Sequence, residues 1–390
     1  MDRGALFSFH ISATVFLVLL NRFGTMRKID WYILKKFLTT FVFCILLFTV
    51  IAVAVDSSEK TDDFVQSGLS TKQLIDQYYI GFIPYIWALL FPLFVFIAVI
   101  YFTSRMASRS EVIAILASGT SYNRFLRPYL IGGILLASLL AWGNRYVVPR
   151  ANVIRGNFQA TYIDKNSQMH SRNYNQCFNC FYRRSDTNTY IGIKNYDTTT
   201  KLAGPFFMDR IKDNKLIYNL RSDLMRWDTA KNNWKLENVT ERIVDSMKET
   251  IRQYHEMNIN LNIQPSDLRQ DYYLKDKLTS PQLRKFIEEE ELRGTEGLNT
   301  LKVEYYRRLA TPVTVLILTI IGAVIASRRS RGGSGVHLAL GIMIASIFIL
   351  SDRFSTVFSI NGNLPPILAA WLPNFIFIGV AYWLYRLAPK

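Results

Sequence analysis

Residues 37–55 read FLTTFVFCILLFTVIAVAV, an uncharged apolar run that ends at Asp56. A helix needs about 20 such residues to cross a hydrocarbon core of about 30 Å, so this run predicts a membrane span. Five further blocks of the same kind follow: Tyr78–Phe102, Pro128–Trp142 with an extension through Tyr146 and Val148, Leu309–Ala326, Val336–Leu350 running on to Ile360, and Pro366–Leu387. Pro84 and Pro92 lie inside the second block, as kinks that neighbouring helices make tolerable by re-satisfying the backbone. Between the third and fourth blocks the hydrophilic residues gather, from about Arg145 to Arg308.

Half of the 390 residues are hydrophobic, and 46 Lys and Arg stand against 30 Asp and Glu, a net charge of +16. That content of apolar residues excludes a disordered polyelectrolyte, and their segregation into blocks argues against a purely water-soluble chain. Nucleic-acid binding would need the basic residues on one folded face. Here many flank apolar blocks instead: Arg27, Lys28, Lys35 and Lys36, then Arg105, Arg109, Arg124 and Arg127, then Arg328, Arg329 and Arg331, and finally Arg386. Short basic loops mark the cytoplasmic side, so nucleic acid is not an expected partner. The loop Asp56–Gln77 is acidic and the loop around Asn361–Pro365 is uncharged. Both ends of the six-span core are then cytoplasmic, and the insert between spans three and four is on the outer side.

The expected organisation is an N-terminal extension over 1–25, spans one to three over 26–150, a β insert over 151–300 and spans four to six over 301–390. Ala5–Leu20 is apolar and follows Arg3, which leaves three readings: a signal peptide, a seventh span, or an upstream extension of a chain that starts at Met26. In the insert, Thr189–Lys194, Gly204–Ile211, Lys215–Leu220, Asp223–Trp227, Asn233–Val239 and Glu249–Ile263 read as strands. Asp213-Asn214, Thr229–Asn233 and Pro265-Ser266 supply turns between them. Short strands without intervening helices predict an antiparallel sandwich or jelly roll. The fold class is therefore α+β: a six-helix transmembrane domain with an inserted periplasmic antiparallel β jelly-roll domain. Ser280-Pro281 starts a charged helix, Gln282–Leu292, that returns the chain to span four. Cys177 and Cys180 can form a local disulfide, remain thiols, or contribute to a metal site that would need further ligands.

Catalytic motifs are missing from the sequence. Arg331–His337 is Gly-rich but lacks the phosphate-loop lysine, and His10, His170, His255 and His337 show no metal-ligand spacing. No catalytic residue, metal or cofactor of its own is expected, so uphill work would draw on a partner or an ion gradient. The segment SRSEVIAILASG, residues 108–119, carries a capping-box pattern in Ser108 and Glu111 and a left-handed stop in Gly119. Val112, Ile115 and Leu116 can share one face of the short helix. It reads either as an interfacial helix on the inner leaflet or as a coupling helix that fits a groove of a cytoplasmic ATPase, with Arg109 at its start and Glu111 exposed to pair with a basic residue.

Tyr32-Ile-Leu-Lys-Lys-Phe37, Ser108-Arg-Ser-Glu-Val112 with Ala117-Ser-Gly119, and Pro365-Pro366 with Ala370-Trp-Leu-Pro-Asn374 resemble the lipopolysaccharide export permeases of the LptF/LptG type. Trp227 with Asn233–Val239, and Leu278–Leu283, are similar to the same family, and the resemblance runs in order from Met26 to Lys390. It implies a half-transporter in the inner membrane of a Gram-negative cell. Such a subunit pairs with a second related permease subunit, and a dimer of a cytoplasmic ABC ATPase hydrolyses ATP with Mg to drive it. Lipopolysaccharide then leaves the membrane toward a periplasmic bridge protein. Glu111 matches the family's coupling-helix glutamate, and Asp56 an acidic residue at the outer end of span one. Some members carry a basic residue three positions before that aspartate, where this chain has Val53.

Charges at the outer ends of the spans form a separate set. Arg145, Arg150, Arg307 and Arg308 lie where the positive-inside rule disfavours them, and Asp352 and Arg353 fall within span five. Guanidinium forks suit phosphate, so these residues, with Asp56, are candidates for holding an anionic lipid headgroup. Snorkelling and an Asp–Arg structural pair are the alternative. A permease for another envelope lipid, or a scaffold that displays the β-domain, are the rival readings of the whole.

Overall fold

The computed structural model describes residues 27–163 and 181–388, apart from 187, 195, 197–200, 214, 230–231, 246–247, 262, 264, 266–272, 293–296 and 329–332. The expectations for residues 1–25 and for Cys177 and Cys180 lie outside the described residues. Two compact units divide the chain: one holds the residues up to Arg155 and from Tyr306 onward, and the other runs from Gly156 to Tyr305.

Among the described residues, six helices are long and apolar enough to cross a membrane: Lys28–Glu59, Thr71–Ser108, Tyr122–Ile163, Leu298–Ala326, Gly335–Asn361 and Pro366–Arg386. They are spans one to six. Span two starts earlier than its apolar block because Ser70 caps it. The Ser70 N–H donates to Gln73 Oε1 at 2.9 Å and the Gln73 N–H to Ser70 Oγ at 3.5 Å. Span three also outruns its apolar block, through π turns at Gly143–Val147 and Gln159–Ile163. Its extension docks on span two, where the Arg155 guanidinium lies 3.8 Å over the Tyr85 ring. Gly81 makes this approach possible, since a Cβ there would sit 2.5 Å from the Ala151 carbonyl oxygen. The division between units accordingly falls at 156 and 305 rather than at 151 and 300.

The membrane unit is centred on Phe37, Phe94, Val95, Val99, Phe125 and Tyr129. Span four is the most enclosed, with 61% of its apolar window buried, whereas spans one and five bury only 17% of theirs. Those two spans therefore leave the broadest faces to lipid or to another chain. Single polar contacts tie neighbouring helices, as membrane interiors favour. Trp87 Nε1 donates to Thr49 Oγ1 at 2.6 Å, Thr103 Oγ1 to the Tyr129 hydroxyl at 2.8 Å, and Asn374 Nδ2 to the Ala310 carbonyl at 3.1 Å.

Among the described residues of the second unit, seven strands form one antiparallel sheet: β1 Phe181–Asp186, β2 Thr189–Ile193, β3 Leu202–Ala203, β4 Phe206–Lys212, β5 Lys215–Asp228, β6 Asn233–Asp245 and β7 Lys248–Ile259. The antiparallel insertion is as expected. Its order, β1-β2-β4-β5-β6-β7 with β3 beside β5, is a meander, and among the described residues no strand makes the crossover that a jelly roll carries. Lys215–Leu220 and Asp223–Trp227, expected as two strands, are one. The buried positions shift from Leu220 and Ser222 to Met225, so the inward phase slips by one residue and imitates a break. The same slip occurs across the ladder. In β6 it falls between Leu236 and Val239, at Asn238 with φ 54°, and beyond β5 it meets Gly204-Pro205, which separates β3 from β4. Asp213 (φ 50°) and Asn232 (φ 49°) make the expected turns. Trp234 is fully buried at the centre of this core, T-shaped against Trp227, with Nε1 donating to the Ile263 carbonyl at 2.7 Å.

Candidate functional site

The connection between spans two and three is a helix over Glu111–Ala117. Its expected capping box does not form. Ser108 still belongs to span two, where its Oγ donates to the Arg105 carbonyl at 2.9 Å, so it cannot reach forward. Ser110, at φ 62°, makes the break between the helices instead. Gly119 is left-handed at φ 81° and ends the helix as expected, its N–H donating to the Leu116 carbonyl at 3.1 Å.

The apolar face of this connector is directed into the chain's own core. Val112 is only 1% exposed and belongs to the cluster of Met106, Ala107, Tyr122 and Phe125, with Ile115 and Leu116 packed against the same cluster. The opposite face presents Ile113, 49% exposed, together with Ala114 and Ala117. Ile113 is thus an exposed candidate that the one-face reading of 112, 115 and 116 passed over. Glu111 is half-buried: the Tyr32 hydroxyl donates to Oε2 at 3.4 Å, and Arg109 approaches Oε1 at 4.0 Å. Tyr32 opens span one, so Glu111 links the connector to the first span's start.

At the other end of span one, Asp56 is 7% exposed. Its Oδ1 accepts from Lys60 Nζ at 2.6 Å and from the Tyr78 hydroxyl at 3.0 Å; Lys60 Nζ also donates to the Tyr78 hydroxyl and lies 4.8 Å over the Tyr78 ring. Tyr79 and Ser57 share a hydroxyl contact of 2.5 Å alongside. Here the cation beside the aspartate, Lys60, stands one turn after it. An i, i+4 Asp–Lys pair was visible in the sequence; Tyr78 was not, because it is distant in sequence and was read only as the start of an apolar block.

The remaining outer charges do not form one cluster. Arg307 NH1 stands 3.8 Å from Asp352 Oδ2, an ion pair between spans four and five. The Asp–Arg pair thus runs between helices rather than between the neighbours Asp352 and Arg353. Arg353 is exposed, as is Arg150, and Arg145 is exposed with its guanidinium 5.5 Å over the Tyr146 ring. Arg308 is half-buried.

The family model described as lipopolysaccharide export system permease LptF/LptG matches residues 31–387. The chain is 20% identical over 298 residues to the lipopolysaccharide export system permease protein LptG of Escherichia coli strain K12, covering 75% of this chain and 80% of that protein. The LptG of E. coli O6:H1, strain CFT073, matches to the same extent. A match that starts at the first span, crosses the β insertion and ends at the last span leaves no part of the architecture outside it, and the chain belongs to the lipopolysaccharide export permease family, LptF/LptG.

Proposed function

We propose that this chain is one permease subunit of an ATP-driven extractor of lipopolysaccharide in a bacterial inner membrane. It pairs with a second related permease subunit and is driven by a cytoplasmic ABC ATPase dimer that binds and hydrolyses ATP with Mg. Its β unit stands in the periplasm and passes the lipid to a bridge protein. The observation that carries this reading is the connector helix. Val112, Ile115 and Leu116 anchor it in the core shared by spans one, two and three, while Ile113, Arg109 and Glu111 remain at the surface or its edge. A rigidly seated helix with an outward apolar tip can transmit a push from a docked motor to the spans beneath it.

The weakly covered faces of spans one and five fit a second subunit and a lateral opening for lipid. Arg145, Arg150, Arg308 and Arg353 supply guanidinium groups for the phosphates of an acidic glycolipid, while Arg307–Asp352 and Asp56–Lys60–Tyr78 hold the span ends in place. The test is co-purification of the ATPase with the complete subunit pair, with wild type against Glu111→Ala and Ile113→Asp, followed by release of lipopolysaccharide from proteoliposomes. Loss of ATPase with the permease pair intact is expected. Wild-type recruitment and release in both variants would remove the connector from the coupling path.

A further inference from the structure

Spans three, four and six enclose a groove of about 390 Å³. Leu126, Leu130, Ile317, Ile320 and Ile378 wall it, and Asn123 and Tyr385, whose hydroxyl donates to Asn123 Oδ1, lie at one end. The volume is within the range of ligand sites, about 300–1,000 Å³. On span three the lining runs from Asn123 to Leu130, about 10 Å of helix, less than the roughly 15 Å that one leaflet contributes to the hydrocarbon. Ile378 is 46% exposed, and Tyr382 is also exposed, so the groove opens sideways into the surroundings of the spans. A space lined in this way offers water few partners, whereas an acyl chain entering from the side fits its length and chemistry.

On the three groove-forming spans the charge at this end is of one sign, and the carboxylate facing them from span one, Asp30, is paired with Arg124 at 3.9 Å. Arg127 lies one turn from Asn123 on span three, and the Arg386 guanidinium stands 5.7 Å over the Tyr382 ring. At the end of span four, Arg328 donates to the Leu387 carbonyl. The stretches Tyr122–Trp142, Leu309–Ala326 and Pro366–Arg386, which build the groove, contain no Asp or Glu. This end of the bundle is the one closed by the short loops, away from Asp56, Arg307 and Asp352, so it is separate from the outer charges considered above. We propose that the groove is a binding site for an anionic glycerophospholipid, with one acyl chain between spans three, four and six and the phosphate against Arg127 and Arg386. Such a lipid would brace three spans beside Tyr122, the residue on which the connector helix packs.

The test uses the complete chain in detergent, titrated with dioleoyl phosphatidylglycerol or dioleoyl phosphatidylcholine and read by native mass spectrometry, with no ATPase or second subunit present. The expected result is at least about tenfold tighter retention of phosphatidylglycerol. Arg127→Gln with Arg386→Gln removes that preference, and Ile378→Trp, which fills the groove from its exposed side, lowers retention of both lipids. Equal retention of the two lipids by the wild type overturns the proposal, leaving annular lipid only. So does a preference that survives the arginine changes, or retention unaffected by Ile378→Trp. The arginines are exposed, so their replacement tests the headgroup contact even if the tryptophan variant fails to fold.

Discussion

Replacing Lys60 by Met should destabilise the membrane unit far more than the loss of a surface ion pair. The Lys60 and Asp56 side chains are 20% and 9% exposed and meet at 2.6 Å. At an effective dielectric constant of about 20, two unit charges at that distance attract by about 6 kcal/mol, before the cost of desolvating them is subtracted. Exposed pairs usually yield about 0–1 kcal/mol, but removing one partner of a buried pair costs about 3–5 kcal/mol, because the other charge stays behind without compensation. In Lys60→Met, Asp56 keeps the hydroxyls of Tyr78 and Tyr79 as neighbours but loses its ion-pair partner. The expected loss is about 3 kcal/mol, a shift of roughly a hundredfold in the folded to unfolded ratio. Asp56→Asn should cost less, about 1 kcal/mol, since Lys60 can turn its ammonium toward water. The double variant should lie within about 1 kcal/mol of the wild type, because no buried charge is left. Reversible unfolding by steric trapping in bicelles measures all three. A loss below 1 kcal/mol for Lys60→Met, or a double variant as unstable as the sum of the singles, would refute the reasoning that the pair is buried and mutually dependent.

Val112→Asp should abolish accumulation of folded protein, since it puts a carboxylate at a site 1% exposed, whereas Ile113→Asp at 49% exposure should change thermal stability by less than about 0.5 kcal/mol; fluorescence size-exclusion profiles of the two variants separate these outcomes. Asn374→Leu removes the bonds to the Ala310 carbonyl and to Thr314 and should cost about 1 kcal/mol in detergent unfolding, with Thr314→Val adding little in that background. In the β unit, burial and then the hydrogen bond and charge of Glu241 push the Tyr218 hydroxyl up to about 12. Because the folded value is raised, the stabilisation from the protonated form is complete below about pH 10, the unfolded value, and is lost as pH rises through the folded value. Labelled Tyr218 Cζ followed by NMR should show that late titration, and Glu241→Gln should bring it earlier.

The spans were legible because about twenty apolar residues in a row have few other meanings: five of the six blocks lie within a helix, and the sixth runs one residue past its helix, to Leu387. Their ends were less legible, since a helix outlasts its apolar block wherever its polar residues find partners. Ser70 with Gln73 does this before span two, and Arg155 with Tyr85 after span three. In the insert, the alternation that marks a strand also concealed one. The slip at Ser222–Leu224 divided β5 in the reading, although the backbone ladder crosses it, because the pattern reports which face is buried and not whether the chain is interrupted. The connector shows the same limit. Periodicity placed Val112, Ile115 and Leu116 on one face, but whether that face meets a partner or the chain's own core depends on Tyr122 and Phe125, which no local pattern can position. Lys60 was within reach of a helix-spacing argument; its second partner Tyr78 was not.

How the polar ties are distributed bears on which span can move. The Tyr122 hydroxyl meets Ser327 Oγ at 3.1 Å, Tyr385 binds Asn123, and Thr314 Oγ1 donates to Asn374 Oδ1 at 2.8 Å. These contacts link spans three, four and six near one end and at mid-depth. Span five is held differently. Its described polar ties, Arg307 to Asp352, Ser355 Oγ to the Ala369 carbonyl at 2.7 Å and Ser359 Oγ to the Leu364 carbonyl at 2.9 Å, all lie toward Asn361. Toward Gly335 it is held, among the described residues, by packing, with Gly341 against Ile100 and His337 buried with no hydrogen bond from either ring nitrogen to a described residue. Hydrogen bonds and ion pairs hold one geometry, whereas apolar contacts between helices tolerate sliding. On the coupling proposed above, a force delivered at the connector end would meet spans three, four and six tied together by polar contacts. Span five, tied by polar contacts only toward Asn361 among the described residues, would then be the span that shifts at its Gly335 end, against its apolar packing on span two.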